Sequence, residues 1–136
     1  METTSQTPVQ AIQELVAIHS TRIELAEKLL KKDLPAKLAT KLEQIKKQSH
    51  DFTTELMGEL SNFGDAVTGS VDNNNPYQTR YKETLANMDQ IEKEETDKLV
   101  GSFEDTLKTI YQGYAHNTSD DFKTLQAIIT RHIAEL

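Results

Sequence analysis

The stretch GDAVTGSVDNNNP, residues 64–76, decides which helical fold this sequence predicts. It contains two glycines and three consecutive asparagines directly before a proline, a composition typical of a loop that ends where a helix begins. Because the sequence on both sides has helical spacing, the loop separates two helical halves of the chain. A simple up-down-up-down bundle joins its helices by short turns, so a connection of this length argues against that topology.

Two helices are predicted before the loop, at about 8–31 and about 35–63. Each begins near a proline, Pro8 or Pro35, which suits a first helical turn. The short turn Lys31–Leu34 between them predicts an antiparallel hairpin. The apolar residues that recur at helical spacing are Ile12, Leu15, Val16, Ile23, Ala26 and Leu30 in the first helix, and Leu38, Leu42, Ile45, Phe52, Leu56, Leu60 and Phe63 in the second.

Beyond the loop an apolar stripe continues to Tyr114. One helix over 76–114 would be about 58 Å long, whereas the helix before the loop would be about 43 Å. We therefore expect a break near Asn87–Asp89, which gives a crossover helix at 76–88 and a bundle helix at 90–115. A final helix at 119–135 completes a second antiparallel hairpin. The apolar residues are Tyr77, Tyr81, Leu85, Met88, Leu99, Phe103, Ile110 and Tyr114 in the stripe, and Phe122, Leu125, Ile129, Ile133 and Leu136 in the final helix.

Two antiparallel hairpins joined by a long crossover predict an all-α fold, a ferritin-like four-helix bundle. The crossover between the second and third bundle helices would contain the short extra helix. We expect a single domain over 1–136, with a flexible N-terminus at 1–7 and a long loop at 64–75.

Composition excludes several classes of function. The chain has 15 Lys+Arg and 22 Asp+Glu, a net charge of −7, which argues against a general nucleic-acid binder and against binding to anionic membranes. It has no cysteine, which excludes disulfides, thiolate metal sites and cysteine nucleophiles. The first residues lack a basic and then apolar signal, and no apolar run approaches the ~20 residues that span a membrane, so we expect a cytoplasmic protein.

The histidines do not follow the pattern of a di-metal bundle. Such a site uses a Glu from each of two helices and a Glu-x-x-His from each of the other two. The residue three before His50 is Lys47, and the residue three before His132 is Ile129. Neither can be the carboxylate ligand, so we expect His50 and His132 to lie at the surface or its boundary, and His116 to be solvated.

His19 lies near the centre of the apolar face of the first helix. Antiparallel pairing across the short turn places it beside Gln48 and Ser49, and counting along the third bundle helix places Ser102 and Thr106 at the same height. We predict a polar layer without carboxylates, in which His19 is a core histidine held by hydroxyl and amide groups. A role as a metal ligand or proton relay is the alternative.

Two carboxylates interrupt the inner stripe of the third bundle helix, Glu92 and Glu95. We interpret Glu92 as the third residue of a capping box begun by Asp89, with the acidic run favoured by the helix dipole. Glu104 is interpreted as solvated charge. If a metal is bound, His19, Glu92 and Glu95 are the candidate ligands.

The run IHSTRIELAEKLLKKDLPAKLATKLEQIKKQSHDFTTELMGELSNFG, residues 18–64, resembles the N-terminal hairpin of an uncharacterised bacterial ferritin-like family. FEDTLKTIYQGYAH, residues 103–116, resembles its third helix, and the last seventeen residues resemble its closing helix. The resemblance covers about 9–136 and implies a ferritin-like four-helix bundle of unknown function, some relatives being associated with stress. Ferritin iron oxidation depends on Glu-x-x-His pairs, from which this chain departs at Lys47 and Ile129.

The leading hypothesis is therefore a non-enzymatic bundle without cofactor that acts through protein association, with itself as a homodimer or with another protein. A competing hypothesis is a degenerate iron or manganese protein that uses His19 with Glu92 or Glu95. A third is a small-molecule sensor with its pocket around His19, Ser102 and Thr106.

Overall fold

The computed structural model describes residues 8–62, 75–116 and 122–136. These residues form five α-helices and one short 3-10 helix, and no strand occurs among them. The prediction of an all-α fold is confirmed. The helices are α1 (Pro8–Leu30), α2 (Ala36–Ser61), α3 (Pro76–Ala86), α4 (Lys93–Ala115) and α5 (Lys123–Glu135), and the 3-10 helix is Met88–Gln90.

The first two helices form the antiparallel hairpin that the short turn predicts. His19 of α1 contacts Ser49 of α2, whereas Glu27, further along α1, pairs with Lys46, which comes earlier in α2. The last two helices pack in the same way. Tyr111 contacts His132, and the Gln126 amide donates to the Ala115 carbonyl 2.7 Å away.

Contacts between the hairpins set the remaining helix directions. Glu14 accepts a hydrogen bond from Tyr114, and Arg22, later in α1, pairs with Glu104, earlier in α4. Thus α4 runs antiparallel to α1 and parallel to α2, and the chain between α2 and α4 must return along the bundle. The helix α3 belongs to that return and packs against α1 and α4, with the Tyr77 ring 5.1 Å from the Phe103 ring.

The expected break falls where α3 ends at Ala86 and the 3-10 helix begins. The stripe does not continue evenly through the break, since Leu85 is 39% exposed and Met88 is only half-buried. The next helix begins at Lys93 rather than at 90, because Glu92 and Glu95 form the capping box. The prediction that Asp89 begins that box is wrong by three residues, which are taken up by the tight 3-10 turn.

The core contains most of the predicted apolar residues, but the buried face of α1 is wider than predicted. Val16, Ile23 and Leu30 are half-buried. The fully buried residues that the spacing did not single out are Ala11, Ile18, Leu25 and Leu29. The reason is that α1 packs against α2, α3 and α4 together, so its buried face exceeds a single stripe.

Some predictions fall on other parts of the chain. Phe63, the N-terminal segment 1–7, the loop residues 64–74 and the first three residues of the final helix predicted at 119–135 lie outside the described residues. Among the helices that are described, none combines the length and the apolar composition that crossing a membrane requires.

Candidate functional site

His19 is fully buried at the centre of the helices, as its place on the apolar face predicts. Its Nδ1 lies 2.9 Å from the Ser49 hydroxyl and its Nε2 lies 2.7 Å from the Tyr111 hydroxyl. The predicted contact with Ser49 is confirmed. Tyr111, on α4, was not predicted as a partner.

The Tyr111 hydroxyl lies between two imidazoles. Besides His19, it contacts Nδ1 of His132 at 3.0 Å, and Nε2 of His132 lies 2.9 Å from the Glu55 carboxylate. His132 is fully buried, so the prediction of a surface or boundary histidine is wrong. The physical reason is the α2–α5 contact, in which the His132 ring stacks on Phe52 with a 3.6 Å centroid separation and a 3° interplanar angle.

Arg22, one turn after His19, places a charged group in the same layer. It is 2% exposed. Its guanidinium donates to both oxygens of Glu104, to the Ser49 hydroxyl at 2.9 Å and to the Gln48 side-chain oxygen at 2.8 Å. The expectation of a layer without carboxylates is therefore wrong, and Glu104, which is 24% exposed, is not simply solvated.

The two residues expected beside His19 from α4 lie elsewhere. Ser102 accepts a hydrogen bond from Arg80, and the Thr106 hydroxyl donates to the backbone carbonyl of Ser102 at 3.0 Å. The height estimate counted from too early a helix start, and Tyr111, further along α4, occupies the position beside His19.

The bonded groups form one chain, and neutral histidines give it a single proton order. Its first group, the Arg22 guanidinium, only donates, and its last, the Glu55 carboxylate, only accepts. Each neutral imidazole carries one proton, so the order is set from the Glu55 end, where His132 Nε2 must donate. The hydroxyl of Ser49 then donates to His19 Nδ1. His19 Nε2–H then donates to the Tyr111 oxygen, the Tyr111 hydroxyl donates to His132 Nδ1, and His132 Nε2–H donates to Glu55. Both histidines are neutral in this order, and every ring nitrogen has a partner.

The ionisation of these groups agrees with that order. Burial lowers the pKa of His19 well below its usual value, and the nearby Arg22 and His132 lower it further. Burial also lowers the pKa of His132, against the opposing hydrogen bond to Glu55. Burial raises the pKa of the Tyr111 phenol. The three groups at the centre of the chain are therefore uncharged near neutral pH.

The candidate metal ligands are not brought together. Glu92 and Glu95 lie at the exposed start of α4, where they bond the helix backbone, and His19 contacts Tyr111, sixteen residues or about 24 Å further along that helix. Among the residues that the structure describes, no group of three or more His, Asp or Glu side chains is arranged to hold a metal ion. His50 and His116 are exposed, as predicted.

A cavity at the edge of this layer is too small for an organic molecule. The cavity beside Arg22, Tyr77 and Glu104 has a volume of about 10 Å³, the space of roughly one water molecule. The expected sensor pocket around His19 gains no support from this volume.

Comparisons of the chain with family models, with curated proteins and with solved structures give no match.

Two of the unpredicted residues carried a usable signal in the sequence. Arg22 follows His19 by three residues and therefore lies on the same face of α1. Glu104 precedes Tyr111 by seven residues and likewise shares its face of α4. The charges of Arg22 and Glu104, together with these positions, therefore indicate a polar strip across the apolar faces of α1 and α4.

The pH dependence of stability follows from the lowered histidine pKa values. Below about pH 6.5 the unfolded chain binds protons at His19 and His132 that the folded chain does not bind. The free energy of unfolding should therefore fall as the pH falls, by up to about 1.4 kcal/mol per pH unit for each histidine. Urea unfolding at a series of pH values from about 7.5 to 5.5 measures this slope.

The exposed His50 provides the matched control. His50→Gln should keep the full slope, whereas His19→Gln should be less stable at neutral pH and have a shallower slope. An unfolding free energy that stays constant or rises as the pH falls would contradict the assignment of two buried neutral histidines.

Removing one hydroxyl tests the centre of the chain. Tyr111→Phe leaves Nε2 of His19 and Nδ1 of His132 without a partner, and each buried unsatisfied group costs about 1–3 kcal/mol. We expect a loss of about 2–4 kcal/mol in the free energy of unfolding. Tyr81→Phe removes a hydroxyl whose partner, Glu24, is exposed, and should lose less than about 1 kcal/mol. Equal losses in the two variants would contradict the central position of Tyr111.

Proposed function

We propose that this chain is a ferritin-like helical bundle that performs no chemistry of its own and acts through association with protein. The proposal rests on one observation: the buried ring nitrogens of the histidines already have hydrogen-bond partners. Both ring nitrogens of His19 and both ring nitrogens of His132 are hydrogen-bonded to side chains of this protein. Catalytic and metal centres instead keep a reactive or coordinating position open.

The helix directions support the ferritin-like part of the proposal. Parallel α2 and α4 require a connection that returns along the bundle, and α3 lies within that connection. One long crossover between two antiparallel hairpins is the ferritin-like topology. The resemblance in the sequence implies the same fold and suggests that the association serves a response to stress.

The buried chain would then serve a structural purpose. It joins side chains from α1, α2, α4 and α5, so any sliding of one helix breaks at least one hydrogen bond in a buried layer. Networks of this kind specify one arrangement of helices more than they add net stability. A bundle with a fixed arrangement presents fixed surfaces, which is what a binding partner requires.

The di-metal alternative has no geometric support of its own. It would require His19 to share an ion with Glu92 or Glu95, which bond the start of α4 instead. We therefore propose no second function.

Metal analysis tests the proposal. Protein purified without chelators should contain far less than one iron or manganese ion per chain, and His19→Ala should have the same metal content. His50→Ala is the control for loss of an exposed histidine. Stoichiometric iron or manganese that is lost in His19→Ala but retained in His50→Ala would overturn the non-enzymatic assignment.

Association is tested separately by chemical cross-linking in the cells that produce the protein. We expect a covalent adduct with a protein partner or with a second copy of the chain. Its absence under conditions that cross-link a known complex in the same cells would contradict the proposed association.

A further inference from the structure

The last helix covers only part of the surface between α2 and α4. It contains 13 residues, about 20 Å, whereas α2 contains 26 residues, about 39 Å. Along α2 it runs from Glu59, which accepts a hydrogen bond from Thr124, to Gln48, whose amide donates to the Glu135 carbonyl at 2.9 Å. The first half of α2 therefore extends beyond the end of α5.

Beyond that end lies an open groove, the α2–α4 groove, with a volume of about 610 Å³. One wall contains Pro35 and, from α2, Lys37, Leu38, Lys41 and Gln44. The other contains Lys93, Glu94 and Asp97 of α4, and Lys93 forms an ion pair with Asp33 at 3.8 Å.

The groove continues the path of α5. Lys37, Lys41 and Gln44 follow the same three- and four-residue spacing as Gln48 and Glu55, so all five lie along one side of α2. Gln48 and Glu55 contact α5 on that side. A helix that lay in the groove would therefore occupy a position collinear with α5.

The two walls of the groove carry opposite charge. Lys37 and Lys41 on α2, and Glu94 and Asp97 on α4, are all exposed. Over residues 8–62, 75–116 and 122–136, none of these four has an ion-pair partner within 4.0 Å.

The first turns of the two helices add to this difference, because acidic side chains offset the positive end of the helix dipole in α4 but not in α2. The start of α2 has no acidic residue in its first turn and no side-chain cap, so the positive end of its dipole adds to the lysines. The first turn of α4 contains Glu94 and Glu95. The α2 wall is thus positive and the α4 wall negative.

We propose that the α2–α4 groove binds an amphipathic α-helix of a partner protein. The apolar face of that helix would lie on Pro35, on the small exposed part of Leu38, which is 6% exposed, and on the aliphatic stems of Lys37 and Lys41. Its acidic flank would face the ammonium groups of the two lysines, and its basic flank would lie along Glu94 and Asp97. Helix-in-groove recognition takes most of its affinity from the apolar face, while charges at the rim select the partner and its orientation. The inference rests on the proposed function, because it identifies the surface and the partner for the association.

Other occupants fit the groove less well. A nucleic acid or an anionic membrane requires a surface of one positive sign, and one wall here is acidic. A second copy of the chain that met this surface across a two-fold axis would present the same concave groove and could not fill it.

A designed peptide tests the proposal with the full chain. The probe is a lactam-bridged helix of about 14 residues, which spans ~20 Å. It carries leucines at three- and four-residue spacing, glutamates along one flank and lysines along the other, and fluorescence anisotropy measures its binding. We expect saturable binding to the wild type and a Kd about tenfold higher for K37E/K41E, because two attractive pairs become repulsive.

The matched control, K47E/K82E, makes the same change in net charge at exposed positions outside the groove. Its Kd should equal that of the wild type. A second peptide with lysines on both flanks should reverse the order and bind K37E/K41E more tightly than the wild type. Circular dichroism establishes that each variant is folded.

Three results would overturn the proposal: no saturable binding to the wild type, the same loss of affinity in both charge variants, or a wild-type dimer that K37E/K41E dissociates. The last result would assign the groove to a second copy. These failures are distinct from failure of the proposed function. Stoichiometric metal dependent on His19 removes the proposed function whatever the peptide does, and a persistent cross-linked partner without peptide binding removes only the groove.

Discussion

The structure depends on the hydroxyl of Tyr111, which bonds His19 on one side and His132 on the other. Through these two imidazoles it connects α4 to α1 and to α5. On one side, His19 contacts Ser49 of α2, which accepts a hydrogen bond from Arg22. On the other side, His132 contacts Glu55, so the chain reaches α2 at both Ser49 and Glu55. Since both imidazoles are neutral and the Glu55 carboxylate can only accept, the direction of every hydrogen bond between Ser49 and Glu55 is fixed.

This constraint links the energetics of the core to the proposed function. Burying Arg22 requires compensation, which Glu104, Ser49 and Gln48 provide together. The two buried histidines must stay neutral, and in this proton order both are neutral and all four ring nitrogens are hydrogen-bonded. Because the core uses its polar atoms to fix the arrangement of the helices, the proposed recognition would fall to the outside. There the two lysines on the α2 wall of the groove, and Glu94 and Asp97 on the α4 wall, have no ion-pair partner within 4.0 Å among the described residues.

The sequence predicts the helices and the contact between His19 and Ser49, because both depend on local spacing and on one short turn. It does not predict Tyr111 beside His19, since that contact crosses from α1 to α4 and depends on the length and path of the crossover. His132 was placed at the surface because a helical wheel for a short helix does not show which side meets Phe52. Helical spacing does not predict the burial of Arg22 with Glu104, because a single charged side chain is expected at the surface and only the pair can be buried.

Long-range ¹⁵N–¹H correlation spectra of the imidazole rings test the central claim most directly. They report the protonation state and tautomer of each histidine in the folded protein at neutral pH. The account predicts that His19 and His132 are both neutral and both carry the proton on Nε2. A folded protein in which His19 or His132 is an imidazolium, or carries its proton on Nδ1, would contradict the fixed direction of the chain from Arg22 to Glu55.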